Sequence, residues 1–448
     1  MRDLTKDSIV HHILTLAAPI AVSMLAQLAY QLVDLYFVTR LGVAATAGVN
    51  AAGNATLLII ALAQVLNIGT AALVAHAVGR KRRDEANLVF NQSVVLAAGS
   101  AVLTMALLFL FAGPYMRSVA ADAATVQDGI AFTCWVIPGI ALMIPLTALG
   151  SALRGTGIVR PHIIVYTLSV ILNACLAPVL IAGVGTGMAL GVRGAGLATS
   201  ISVAVAIVAL TTYYVRAERY LEFRWALLRP RLDQWRRIVG VGLPAGGELI
   251  LTFLSTAIAY YAIRNFGASA QAGFGIGSRV LQVILLPAIA IGFAAGPIAG
   301  QNFGARNPER VRQTFRYAAL LGCITMAAIT IGVQWGAKNL VDVFDADTRA
   351  AAAAVMFLQL ISWTFVAQGL VYVCSSMFQG LGSTLPSLVS AGTRFLAFTS
   401  SVLWLSAQRG FSLEQVWYLL ILSVGLQAAI SLCLLRLELR RRLPLPAR

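Results

Sequence analysis

Charge is scarce in this chain. Asp, Glu, Lys and Arg make up 11% of its 448 residues, less than half the roughly 25% usual in soluble domains, which excludes an ordinary soluble protein. Lysine is scarcer still. Only Lys6, Lys81 and Lys338 occur and none follows a glycine, so a phosphate-binding loop is missing and ATP hydrolysis on this chain is not indicated. The five cysteines are odd in number, contain no C-x-x-C pair and lie inside apolar runs, which argues against a disulfide framework and against a zinc site. The four histidines, His11, His12, His76 and His162, fall near the ends of apolar runs and form no H-E-x-x-H pattern, so they read as interfacial residues. With no paired intramembrane carboxylates either, the sequence offers no catalytic constellation and no resident cofactor or metal, and the chain reads as a non-enzyme.

What is abundant is apolar surface. Residues of the apolar set amount to 59%, the mean hydropathy is +0.83, and apolar runs long enough to span a bilayer recur from end to end. This is the pattern of an all-α polytopic membrane protein. Twelve spans are expected, centred near Leu25, Leu62, Ala101, Pro138, Ile171, Val205, Leu251, Leu286, Met326, Ile361, Ala397 and Val424. Of the 33 basic residues, 24 fall in the two termini and alternate loops, 7 fall on the opposite side, and Arg279 and Arg394 lie within spans. The asymmetry places both termini in the cytoplasm. The net charge of +16 follows this membrane arrangement and does not point to nucleic acid. The preference for Arg over Lys fits a GC-rich bacterial genome, so the expectation is a multi-pass, monomeric protein of the bacterial inner membrane with the lipid bilayer as its partner.

The chain superimposes on itself without a gap at an offset of 225. Pro19 falls on Pro244, Gly42 on Gly267, Ala47-Gly48 on Ala272-Gly273, Gly79 on Gly304, Gly155 and Gly157 on Gly380 and Gly382, and Pro161 on Pro386. Gly and Pro set backbone geometry, so this agreement argues for two halves with one fold. The expected organisation is an amino-terminal six-helix lobe over 1–215, a cytoplasmic basic linker over 216–237 and a carboxy-terminal six-helix lobe over 238–448. Six spans per half give parallel repeats, an arrangement typical of secondary transporters driven by ion gradients.

Two carboxylates, Asp34 and Glu248, fall inside spans, where an ionisable group costs several kcal/mol unless hydrated, paired or neutralised. Asp34 has no intramembrane cation in its half. A pKa raised by about three units would let it titrate near pH 7, so it is the candidate coupling site, for H⁺ or for Na⁺. Glu248, the further candidate ion-coupling residue, shares its half with Arg279 and Arg394. It is expected to approach one of these arginines or, failing that, to be neutral and hydrogen-bonded. In the tenth span, Gln359, Trp363, Gln368 and Tyr372 are candidate lining of a cavity for organic cations. Helix packing through interhelical hydrogen bonds is the alternative for these four.

Pro19 with Asp34, Leu153-Arg154-Gly155-Thr156-Gly157, Asn173, Gly300-Gln301-Asn302-Phe303-Gly304-Ala305 and Gln379-Gly380-Leu381-Gly382 together resemble the multidrug and toxic compound extrusion (MATE) family over nearly the whole chain. The resemblance implies two six-helix lobes and export of organic, commonly cationic compounds in exchange for H⁺ or Na⁺. It also implies an ion site at Asp34 and Asn173, with Pro19 at a bend of the first helix. Two departures stand out: Ala177 precedes Pro178 where many members carry an Asp, and the seventh-span Glu of the NorM-like branch lies about one turn beyond Glu248. Asp34 with Asn173 therefore fits H⁺ better than Na⁺ and places the chain closer to the proton-coupled bacterial members. The competing function is a flippase for lipid-linked saccharides, which related folds of the same superfamily carry out.

Overall fold

The computed structural model describes the backbone of residues 2–119, 122–185, 187–344 and 347–443, and within these the side chains other than those of residues 30–35, 43–44, 51–52 and 54–58. The Asp34 carboxylate, named above as the coupling site, lies outside the described residues. The described residues form thirteen α-helices: α1 Ile9–Thr39, α2 Val43–Gly79, α3 Arg83–Val119, α4 Ala123–Gly155, α5 Arg160–Ala182, α6 Val192–Arg216, α7 Leu232–Ile263, α8 Ala268–Gly304, α9 Pro308–Asp342, α10 Thr348–Ile361, α11 Phe365–Gly380, α12 Leu385–Ser406 and α13 Leu413–Arg442. Among the described residues twelve segments are long and apolar enough to cross a membrane, because α10 and α11, joined by a 3-10 turn at Ser362–Thr364, together make the tenth. The expected all-α, twelve-span class is what the chain adopts.

The repeat is legible in the backbone itself. Adding 225 to the bounds of α2 gives those of α8, and the starts of α3, α4 and α5 map onto the starts of α9, α10 and α12. Strained positions repeat as well. Lys81 has φ 58° and Arg306 φ 57°, two of only three non-glycine residues with positive φ among those described, and Gly42, Gly157 and Gly185 pair with Gly267, Gly382 and Gly410. A left-handed residue is costly for any L side chain with a Cβ, so its recurrence at the same register marks the same turn being built twice. The turns share their hydrogen bonds: Arg82 N donates to Ala77 O, and Asn307 N to Asn302 O.

Small residues let the helices approach, as expected where lipid removes the hydrophobic drive between them. A Cβ on Gly155 of α4 would lie 2.8 Å from the Ala71 carbonyl of α2, and one on Gly380 of α11 would lie 2.5 Å from the Gly296 carbonyl of α8. The same register relates the two contacts. Gly155 and Gly380 thus serve close helix crossings, while Gly157 and Gly382 serve left-handed turns.

Residues 22–242 with the first three residues form one compact unit, and residues 4–21 with 243–448 form a second. The division within α1 falls two residues past Pro19, and that within α7 falls at Leu243, next to Pro244. The amino-terminal part of each first helix therefore belongs with the other half's unit. The linker between helices is also shorter than 216–237, since α7 already starts at Leu232. Lobe 1 is centred on buried residues such as Phe90, Ile144, Leu153 and Tyr214, and lobe 2 on an aromatic group in which Phe274, Phe357 and Trp417 have ring centroids 4.9–5.5 Å apart.

Candidate functional site

Each lobe holds a polar group inside its helices. In lobe 1, Ser169, Asn173 and Ala177 fall one turn apart and share the buried face of α5. Asn173 is 1% exposed; its amide NH₂ lies 3.5 Å from Thr199 Oγ1 of α6, and its carbonyl Oδ1 is buried with no hydrogen-bond partner among the described residues. A buried carbonyl oxygen left without a donor costs on the order of 1–3 kcal/mol. Asn173 therefore offers an acceptor to whatever donor or cation comes within reach. Ala177 is fully buried.

In lobe 2, Glu248 lies one turn beyond Pro244 in α7 and is partly buried. Its carboxyl oxygen Oε2 accepts from Ser375 Oγ of α11 at 2.8 Å and from Ser387 Oγ of α12, and the two serine hydroxyls are themselves 2.8 Å apart. Gln379 Nε2 donates to Ser375 Oγ at 3.4 Å. Three oxygens thus stand mutually within hydrogen-bond distance. Two serine protons can fill only two of the three edges of that triangle, and a third proton, on the carboxyl group, fills the last.

Neither arginine completes an ion pair with Glu248, contrary to the first of the two expectations; the second, a hydrogen-bonded carboxyl, is what the geometry provides. Among the described residues no ion pair involves Glu248, Arg279 or Arg394. The reason is register. Arg394 follows Ser387 on α12 by seven residues, two turns or about 10 Å along the axis. Its guanidinium donates to Gln427 of α13 at 3.1 Å instead. Arg279 of α8 is exposed.

The four candidate lining residues do not form one wall. Gln359 and Trp363 are a turn apart and both exposed, Trp363 to 70%, whereas Gln368 and Tyr372 are a turn apart and partly buried. Nine residues, two and a half turns, separate Trp363 from Tyr372, which puts the pairs on opposite faces. The 3-10 turn between them is held from α9, where Gln334 donates to the Gln359 carbonyl at 2.9 Å and to Ser362 Oγ at 2.8 Å. Tyr372 lies instead on the Ser375 side of α11, within electrostatic reach of Glu248 and Arg394.

Sequence reasoning missed Ser375 and Ser387, and it named Gln379 only as part of the Gln379-Gly380-Leu381-Gly382 motif. Serine is common in membrane helices, and these residues are more than a hundred positions from Glu248. Their register offers a signal only afterwards: in the repeat they occupy the places of Gly150, His162 and Arg154, and the His162 ring overlies Gly150 as Ser387 meets Ser375.

The MatE family model matches residues 19–179 and, a second time, residues 244–402. The chain belongs to the MatE family. The two matches begin at Pro19 and Pro244, the prolines that opened the repeat in the sequence. Among its relatives, the FAD transporter of Shewanella oneidensis is 23% identical over 378 residues, covering 84% of this chain and 83% of that protein. The probable multidrug resistance protein NorM of Bradyrhizobium diazoefficiens is 27% identical over 445 residues, covering 96% and 93%. An outward-facing multidrug resistance MATE family transporter superposes with a TM-score of 0.91 at 22% identity, over 98% of both chains. A MOP superfamily transporter from Pyrococcus furiosus does so with a TM-score of 0.91 at 21% identity, again over 98% of both. At such identities the structural likeness speaks to the fold, which is the two-lobe MATE fold.

Proposed function

We propose that this MatE protein is an antiporter that exports organic cations, drugs or toxic compounds, in exchange for H⁺ by alternating access, from an inner membrane in which both termini are cytoplasmic. The observation that carries the reading is the double family match in the register of the repeat, together with the multidrug resistance proteins among the relatives. Asp34 carries the coupling proton in lobe 1, and Asn173 is its neutral partner. The unpartnered Oδ1 of Asn173 supports this: it accepts a hydrogen bond from a protonated carboxyl and has nothing to donate to it when the proton leaves. A proton needs one titratable group, whereas a metal cation needs several oxygens around it, and Ala177 supplies none.

Glu248 is the matching titratable group of lobe 2, supported by the proton count of its triangle with Ser375 and Ser387. Protonation removes the desolvation cost of a buried carboxylate, so it shifts the balance between conformations that hydrate the site differently. Pro19 in α1, where an intrahelical hydrogen bond is missing, is the place for the helix to bend in response. Export follows when the site releases its proton on the cytoplasmic side and takes one up outside. The test is reconstitution: purified protein in liposomes, with pH and Na⁺ gradients imposed separately and uptake of a cationic dye recorded. Uptake driven by the pH gradient alone supports the reading; uptake driven only by Na⁺ overturns the choice of ion. Transport of lipid-linked saccharides with no dye movement would favour the flippase.

A further inference from the structure

The segment between α6 and α7 is not a slack tether. Three buried side chains of α3 hold its backbone in a ladder. Asn87 donates to the Tyr220 carbonyl at 3.1 Å and accepts from Glu222 N at 2.7 Å; Asn91 donates to the Glu222 carbonyl at 2.8 Å and accepts from Arg224 N at 3.0 Å. Gln92 donates to the Leu227 and Arg229 carbonyls at 2.6 and 2.8 Å and accepts from Arg231 N at 2.9 Å. All three amides are 0% exposed, so both ends of each are spent on fixing this strip.

The arginines of the strip fall into two groups. Arg224 pairs with Asp84 and Glu222, Arg83 of α3 pairs with Glu222, and Arg237 pairs with Glu85, which consumes the carboxylates that face it. Arg219, Arg229, Arg231 and Arg236 are exposed and have no ion-pair partner among the described residues. Trp225, 89% exposed, and Leu232, 66% exposed, stand among them. The strip joins two membrane spans directly and therefore lies at the membrane–water boundary, where a Trp ring sits at headgroup level and each nearby arginine attracts anionic lipid.

We propose that this strip is a preformed docking site for an anionic phospholipid headgroup of the adjoining leaflet: Trp225 and Leu232 sit among the upper acyl chains, and the unpaired arginines meet the phosphate and its negative headgroup. Preformation matters because the ladder has already met the ordering cost that a free loop would incur on binding. The occupant follows from charge complementarity, with four free guanidinium groups against the single exposed acid of the strip, Asp233.

The full chain, reconstituted in phosphatidylcholine vesicles containing one-fifth brominated phosphatidylglycerol or one-fifth brominated phosphatidylcholine, tests this by tryptophan quenching. The difference between the protein and its Trp225→Phe variant isolates the emission of Trp225. Enrichment of the glycerol lipid beside Trp225 by at least about fivefold is expected, the factor that one arginine at an anionic surface supplies. The Arg229→Gln/Arg231→Gln/Arg236→Gln variant should lose it, while Arg440→Gln/Arg441→Gln/Arg442→Gln should keep it. Raising NaCl from low to high concentration should lower it in the unmodified protein, a readout that needs no variant to fold. Equal quenching by the two lipids, indifference to salt, or a preference retained by the Arg229/Arg231/Arg236 variant would each overturn the proposal.

Discussion

Ser387 is one of the two serines that hold the lobe 2 cluster together. It is 2% exposed and touches both Glu248 and Ser375, so Ser387→Ala removes one donor from Oε2 and one neighbour from the other hydroxyl. A loss of about 1–3 kcal/mol of stability is expected, read as a lowered melting midpoint in detergent. Glu248→Gln should behave differently. Its amide supplies N–H donors where the acid supplies O–H, so the fold should persist with a near-normal midpoint while gradient-driven transport falls. Unchanged transport by Glu248→Gln would leave the residue a structural role only. An ion pair was a reasonable expectation from charges alone, because one anion and two cations share the second half. It failed because pairing depends on register across three helices: two turns of α12 separate Arg394 from the serine that Glu248 reaches.

At the scale of the helix, the sequence exposed far more, because Gly and Pro constrain the backbone wherever they stand. The glycines that marked the repeat in the sequence take positive φ at Gly42, Gly157, Gly267 and Gly382, and at Gly155 and Gly380 the structure adds close crossings that the sequence did not announce. Gly380→Val should therefore force α11 away from α8 and cost about 1–3 kcal/mol, checked by thermal unfolding. What stayed hidden was polar. Asn87, Asn91 and Gln92 look in sequence like the solvated start of a span, and only the folded chain shows their amides taking up the linker backbone. The break of the tenth span at Ser362–Thr364 was equally silent, since it is held by Gln334 from another helix. At the start of α4, Asp122 accepts hydrogen bonds from Thr125 N at 2.8 Å and from the Thr125 hydroxyl at 3.1 Å, which hold its carboxyl below the usual aspartate range. A depressed pKa means that this cap contributes stability above the ordinary aspartate pKa and loses it as pH falls through the lowered value. Hydrogen exchange at residues 124–126, corrected for intrinsic rate, should accelerate on acidification, and Asp122→Asn should abolish that pH dependence.

For the whole molecule, twelve spans and two equivalent halves are legible in the sequence, because hydropathy and the register of the repeat survive changes that erase most identities. The site was readable only in part. Asn173 and Glu248 proved to be buried or partly buried polar groups: the first has a carbonyl oxygen without a partner among the described residues, and the second has a carboxyl group bonded to two serine hydroxyls. The central claim is that Asp34 converts a proton gradient into export, and Asp34→Asn preserves shape while removing titration. The decisive measurement is dye transport by the Asp34→Asn protein in liposomes under an imposed pH gradient, beside the unmodified protein. Transport at the level of empty vesicles, with normal folding and retained dye binding, is the predicted result; transport at the unmodified rate would contradict the account.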